Sequence, residues 1–267
     1  MIAGFFIVAF YGLFLDAYPP RSYFCLQNGC TNLPPFVDWA HPLGTETSGI
    51  DVFNEIIHGT AGDLYVGIAA TAISVIIGLA VGAVAGYRGG TSGALLLGVT
   101  QIFFVLPILV LILLLSKILL TLIAQGLGLT LIMLILAAFG WPTIAYIARG
   151  EILRIRELEF VQAAKALGAS NSRIIFRHIV PNTLSPIIVV SSLLVAGNIL
   201  TEVVISFLGF GDPATSTWGL IIQEGANYAS TSWWVSFFPG IAVVLCVLGF
   251  NLVGDGLSDA LNPRLRE

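Results

Sequence analysis

Residues 64–87 read LYVGIAATAISVIIGLAVGAVAGY, from Leu64 to Tyr87: 24 residues without one charged side chain, closed by Asp63 before and Arg88 after. A helix rises about 1.5 Å per residue, so about 20 apolar residues cross a hydrocarbon core of about 30 Å. The same pattern recurs along the chain. Arg88 and Lys117 enclose 28 uncharged residues, Lys117 and Arg149 enclose 31, Arg177 and Glu202 enclose 24, and Glu224 and Asp255 enclose 30. Each window holds one span and none comfortably holds two. A shorter apolar run over residues 2–15 supplies a sixth. The whole chain is 57% hydrophobic and 10% charged, with a mean hydropathy of +0.96. A soluble domain carries about 25% charged residues, so that class is excluded. The expected fold is all-α and polytopic, with six transmembrane helices.

Orientation follows from the basic residues. With six spans both ends share a side. Placing them in the cytoplasm puts nine of the eleven basic residues there, leaving only Arg21 and Lys117 outside. Asp16, Asp38, Glu46, Asp51, Glu55, Asp63, Asp212 and Glu224 then fall outside. The formal charge of −4 matters less than this asymmetry. The run over residues 2–15 has no basic residue before it and no small-residue cleavage site after it, which argues for a signal-anchor span rather than a removed signal peptide. Its shortness suggests a natural start upstream of Met1. Cys25 and Cys30 lie in the first outer loop around an Asn-Gly turn. They are either a disulfide on the oxidising side or two unpaired thiols. Cys246 falls inside the last span as a packing residue.

The organisation that follows is a first transmembrane helix over residues 1–18, an extracytoplasmic segment over 19–62, a core of five helices over 63–257, and a cytoplasmic tail over 258–267. In the extracytoplasmic segment Ser48 can cap a short amphipathic helix that Gly59 ends. In the second span Gly67, Ala70, Ser74, Gly78, Gly82 and Gly86 form a ridge of small residues suited to close helix packing. Pro107 and Pro142 mark positions where spans three and four can bend. The loop around Trp218 is half apolar and fits a short segment dipping back among the helices, with Tyr228, Trp233 and Trp234 behind it as an aromatic belt.

No catalytic constellation is visible. Lys117 follows Ser116 and Lys165 follows Ala164, so neither lysine can complete a phosphate-binding loop. His41, His58 and His178 lie on separate segments, and no zinc-ligand spacing occurs, so no metal or bound cofactor is expected. One stretch departs from plain membrane composition: residues 157–170, on the basic side. Glu159, Phe160, Val161, Gln162, Ala163, Ala164, Lys165, Ala166 and Leu167 form a helix that Gly168 stops. Phe160, Ala164 and Leu167 share one face, with Val161 beside them. Ser170 then caps a second short helix over 171–178, and Pro181 opens the next span. Two readings of the first helix stand side by side: a hairpin resting on the headgroups, or apolar anchors inserting into a groove on another protein.

This segment resembles the "EAA" motif of ABC-importer permeases: Gln162, Ala163, Ala164 and Gly168, then twelve residues to Pro181. The likeness extends along the chain through residues 41–45, 86–87, 166–170, 177–182, 206–209 and 251–264, which are similar to the second, "C" permease of the dipeptide and oligopeptide group. The resemblance implies a type I importer fold. It implies that Glu159, Phe160, Gln162, Ala163, Ala164, Lys165, Leu167 and Gly168 couple the chain to an ATPase. The partners implied are a second homologous permease, two ABC ATPase subunits carrying ATP and Mg, and an extracytoplasmic solute-binding protein, assembled in the bilayer without nucleic acid. Three departures stand out. Gln162 replaces the motif's glutamate, Ile50 stands where the group carries arginine between Gly49 and Asp51, and the group's N-terminal cytoplasmic tail is not in this sequence.

Glu202 is the one acid inside an apolar span. A charge at depth costs about 2.5–3.5 kcal/mol on insertion scales, which makes it a candidate for the pathway; the other reading is structural, with water or backbone within reach near the span's end. The functional expectation is a permease subunit of an ATP-driven importer for di- or oligopeptides, with oligosaccharides or metal complexes as further substrate classes. An ion-coupled secondary transporter would need buried relays that, apart from Glu202, are missing. A membrane scaffold would carry no ATPase.

Overall fold

A computed structural model describes residues 1–14, 31–118 and 127–261. Among these residues nine helices follow in order: α1 (Ile2–Phe14), α2 (Val52–Tyr87), α3 (Gly90–Val105), α4 (Ile108–Ile118), α5 (Gly128–Arg156), α6 (Glu159–Ala166), α7 (Asn171–Phe210), α8 (Trp218–Ala226) and α9 (Trp234–Leu261). Among the described residues the only β pairing is an isolated bridge between Thr45 and Asp51. Helices α2, α5, α7 and α9 are each long and apolar enough to cross a membrane. Helices α3 and α4 form a fifth candidate span, bent by 82° at the break before Ile108. Pro107 sits in that break, where it has no N–H to continue the ladder. The 13-residue α1 is the shorter sixth apolar helix. Pro142 lies inside an uninterrupted α5.

The chain divides into two compact units, and α2, α5, α7 and α9 each give a stretch to both. One holds residues 1–68, 112–135 and 196–250; the other holds 69–111, 136–195 and 251–267. In the second unit the small-residue ridge of α2 meets α5. A Cβ on Gly78 would fall 2.6 Å from Ile144 Cβ, and one on Gly82 would fall 2.7 Å from Ala148 Cβ. The backbones approach so closely that even a methyl group has no room, and this contact substitutes for the hydrophobic drive that lipid does not supply. Around it Ile144, Ala148, Ile152, Ile155, Ile174, Ile179 and Ile187 form a buried core.

In the first unit α8 is the short helix expected between the last two spans. Thr217 caps it, accepting from Leu220 N. Trp218 is fully buried, with its indole N–H donating to Ile56 O at 3.1 Å and its backbone N–H to Asp63 Oδ2 at 2.9 Å. Two expectations change here. Gly59 does not end a separate amphipathic helix. α2 runs through it, and the residue is small because a Cβ there would stand 3.1 Å from the Trp218 ring. Ser48 does not cap α2 either; its hydroxyl donates to Glu46 Oε2. Asp51 is the cap, accepting from Phe53 N and Asn54 N at 2.8 and 3.1 Å, while its other oxygen meets His41 Nδ1 at 2.6 Å. Of the expected aromatic belt, Tyr228 and Trp233 stay exposed, but Trp234 turns inward and donates to Thr45 O.

Pro181 opens no new span. α7 continues through it for 40 residues, because a π turn over Ile175–Ile179 widens the ladder just ahead of the ring. The side chains of Asn182 and Thr183 donate to the carbonyls of His178 and Ile179 at 2.7 and 2.9 Å. A second π turn, Ser206–Phe210, ends the helix at Gly209, whose φ is +84°.

Candidate functional site

The eight residues of α6 follow α5 after only two, and four more lead into α7. Glu159 lies in the first turn and Lys165 in the last, matching the helix dipole at both ends. The C-terminus closes as the Gly168 signal requires: Gly168, at φ +78°, donates to Lys165 O at 3.0 Å, and Ala169 donates to Ala164 O at 3.1 Å. Ser170 then accepts from Arg173 N and starts α7.

Burial splits the helix. Val161, 3% exposed, enters the isoleucine core. Phe160 is 44% exposed and Leu167 is 88% exposed. Gln162, Ala163 and Lys165 are exposed and Ala164 is half-buried. The helix is therefore held by one side and offers an apolar ridge on the other. Such a ridge is what a short docking helix requires, since single anchors carry most of a contact's energy.

The helix is tied to both long helices beside it. Gln162 Nε2 donates to the carbonyl of Arg156, the last residue of α5, at 2.9 Å. This assigns a physical reason to the glutamine: a carboxylate at that position has no proton to donate. Arg156 Nη1 reaches Gly86 O at 3.0 Å, and Tyr87 Oη donates to Asn171 Oδ1 at 2.8 Å. The Phe160 ring lies 6.4 Å from that of His178. Displacing α6 therefore pulls on the ends of α5, α2 and α7 together.

Glu202 lies elsewhere, in the first unit, and is fully buried rather than near water. Its Oε1 accepts from Ser206 Oγ at 2.6 Å. Its carboxyl neighbours that of Asp63, which is fully buried in turn and accepts from Trp218 N. Asp63 escaped the sequence reading because a charge was taken to end a span, whereas α2 carries this one inside it. Through Asp63 these contacts link α7 at Glu202 to α2 and α8. Glu202→Gln keeps the shape and adds a donor for Asp63, so insertion, assembly and transport are expected within about twofold of wild type. Asp63→Leu strands a buried backbone N–H and is expected to destabilise by about 1–3 kcal/mol. Thermal stability and uptake, measured separately, check both; normal assembly with lost uptake for Glu202→Gln would place that residue in the pathway.

Cys25 and Cys30 lie outside the described residues, and Cys246 is a free, buried thiol. Glu46, Glu55 and Glu224 each bring one oxygen within 4.8 Å of the others, a grouping their sequence separation hides. A carboxylate cluster alone does not define a metal site, and none is assigned.

Residues 78–267 match the family described as the binding-protein-dependent transport system inner membrane component. The chain is 38% identical over 263 residues to the dipeptide transport system permease protein DppC of Bacillus subtilis, covering 98% of this chain and 79% of that protein. It is 36% identical over 235 residues to the oligopeptide transport system permease protein OppC of the same organism, covering 88% and 74%. It is 32% identical to the glutathione transport system permease protein GsiD of Pectobacterium atrosepticum, covering 99% and 86%. Among solved structures, the inward-facing MetNI methionine ABC transporter matches with a TM-score of 0.64 at 18% identity, over 78% of this chain and 96% of that one.

Proposed function

The chain belongs to the binding-protein-dependent transport inner-membrane family, as a multi-pass permease subunit of an ABC importer, and we propose that it forms half of a pore for di- and oligopeptides. A second permease supplies the other half. Two ATPase subunits bind ATP and Mg, and a solute-binding protein delivers peptide from the extracytoplasmic side. Both termini and α6 face the cytoplasm, in keeping with nine of eleven basic residues on that side. The peptide class is supported by relatives whose names carry dipeptide and oligopeptide transport. The chain itself is not an enzyme; hydrolysis takes place on the ATPases.

The observation that carries this reading is α6, anchored inward by Val161 and exposing Phe160 and Leu167. Closure of the ATPases around ATP pushes that ridge. The ties from Gln162, Arg156 and Tyr87 pass the displacement to three long helices at once, so the two accessible states exchange. A cysteine at position 167 tests the contact. In the assembled importer it is expected to cross-link to an ATPase subunit, with a yield that changes when ATP binds. A cross-link that forms only to lipid, or none at all, refutes the docking role.

A further inference from the structure

Two cavities of the second unit share a wall. One, of about 750 Å³, is lined by Arg88, Arg156, Glu157 and Lys165. The other, of about 540 Å³, is lined almost wholly by apolar side chains, among them Leu79, Ala83, Ile175 and Phe176. Tyr87 and Arg88 border both. The polar cavity holds three cations and one acid. Arg156 engages that acid, with its Nε 2.9 Å from Glu157 Oε1. Arg88 and Lys165 are exposed, and among the described residues their side chains form no hydrogen bond or ion pair. Two positive charges thus stand unmatched above an apolar groove. The groove follows α2 from Ile76 to Tyr87, about 16 Å at the helical rise, which is about half the thickness of a hydrocarbon core.

We propose that the joined cavities bind one anionic phospholipid, its phosphate between Arg88 and Lys165 and an acyl chain along the groove beside Ala83. Only a molecule with a charged head and a long apolar tail satisfies both parts. An acidic segment of a soluble partner would match the upper cavity and leave the groove, at membrane depth, unfilled. A second membrane subunit would cover the groove and leave the cations unmatched. Basic pockets at the cytoplasmic ends of spanning helices are a recurrent form of headgroup recognition. The choice of the cytoplasmic leaflet rests on the proposed orientation; the chemistry of the site does not.

The test uses the assembled importer, reconstituted separately with phosphatidylglycerol and with phosphatidylcholine, then washed in mild detergent. Retained lipid is counted per chain. Phosphatidylglycerol is expected to remain bound where phosphatidylcholine is lost, and Arg88→Gln is expected to lower its retention about tenfold. Ala83→Leu, which fills the groove, is expected to lower it as well. Inorganic phosphate at equal concentration should not displace it. Equal retention of the two lipids, full retention by Arg88→Gln, or displacement by phosphate alone would overturn the lipid site. So would a cysteine at 83 cross-linking to a protein subunit instead. Labelling a cysteine at 88 from the extracytoplasmic side would refute the orientation and leave the retention result standing.

Discussion

Replacing Phe160 and Leu167 together by serine is expected to lower ATP-driven peptide uptake at least tenfold while the amount of chain in the membrane stays unchanged. Both side chains are exposed in the chain itself, and exposed substitutions usually shift stability by no more than about 0.5 kcal/mol. Nothing in the fold therefore suffers. Buried anchors at an interface are another matter: truncating one commonly costs about 2 kcal/mol or more of binding, where about 1.4 kcal/mol is a factor of ten. Uptake into cells or vesicles, compared with the ATPase that co-purifies, separates docking from folding. Wild-type uptake by the double variant would remove the ridge from the coupling mechanism. Val161→Ser should behave differently, because it opens the isoleucine core and lowers the yield of folded protein.

The second large effect lies on the ridge of α2. Gly82→Leu is expected to destabilise the chain by about 3 kcal/mol or more, beyond the usual range for overpacking. Its Cβ would stand 2.7 Å from Ala148 Cβ and 2.8 Å from Ala145 O. Neither neighbour is the end of a flexible side chain, so α2 and α5 must separate. Gly150 is the control. It lies on α5, the other helix of the pair, but a Cβ there meets nothing within 4 Å, so Gly150→Ala is expected to stabilise by up to about 1 kcal/mol through helix propensity alone. Thermal unfolding of the purified chain should show opposite signs. Shifts of the same sign would mean that close approach does not hold these helices together.

Much of this was legible in the sequence because membranes impose simple rules. Charge-free windows located α2, α5, α7 and α9, small residues every fourth position named the packing face of α2, and Gly168 marked the end of α6. Two of the misplaced features share one cause: a local signal was overruled by a distant partner. Gly59 reads as a stop until Trp218 lies against it, and Asp63 reads as a boundary until Trp218 N–H and Glu202 give it a place inside the helix. Pro181 reads as a beginning until a π turn absorbs it. Sequence spacing fixed which face of α6 is apolar. It could not say that Val161 alone would be the inward anchor, since that depends on isoleucines from α5 and α7. The glutamine at 162 was legible only as a departure; its meaning came from the carbonyl at the end of α5.

The π turn over Ile175–Ile179 carries one consequence of its own. Such a turn contains one residue more than an α turn closing the same stretch of axis. It therefore acts as a phase setter: everything N-terminal to it is rotated by about 100° relative to an unbroken helix. Losing a single residue there would scarcely shorten α7. That loss would close the stretch as an α turn and leave Asn171 facing the Tyr87 hydroxyl; straightening the turn with all its residues kept would instead swing α6 around the axis by about 100°, like a key turned in its lock. For this chain the number of residues between Gly168 and Pro181 is thus a matter of angle as much as of length.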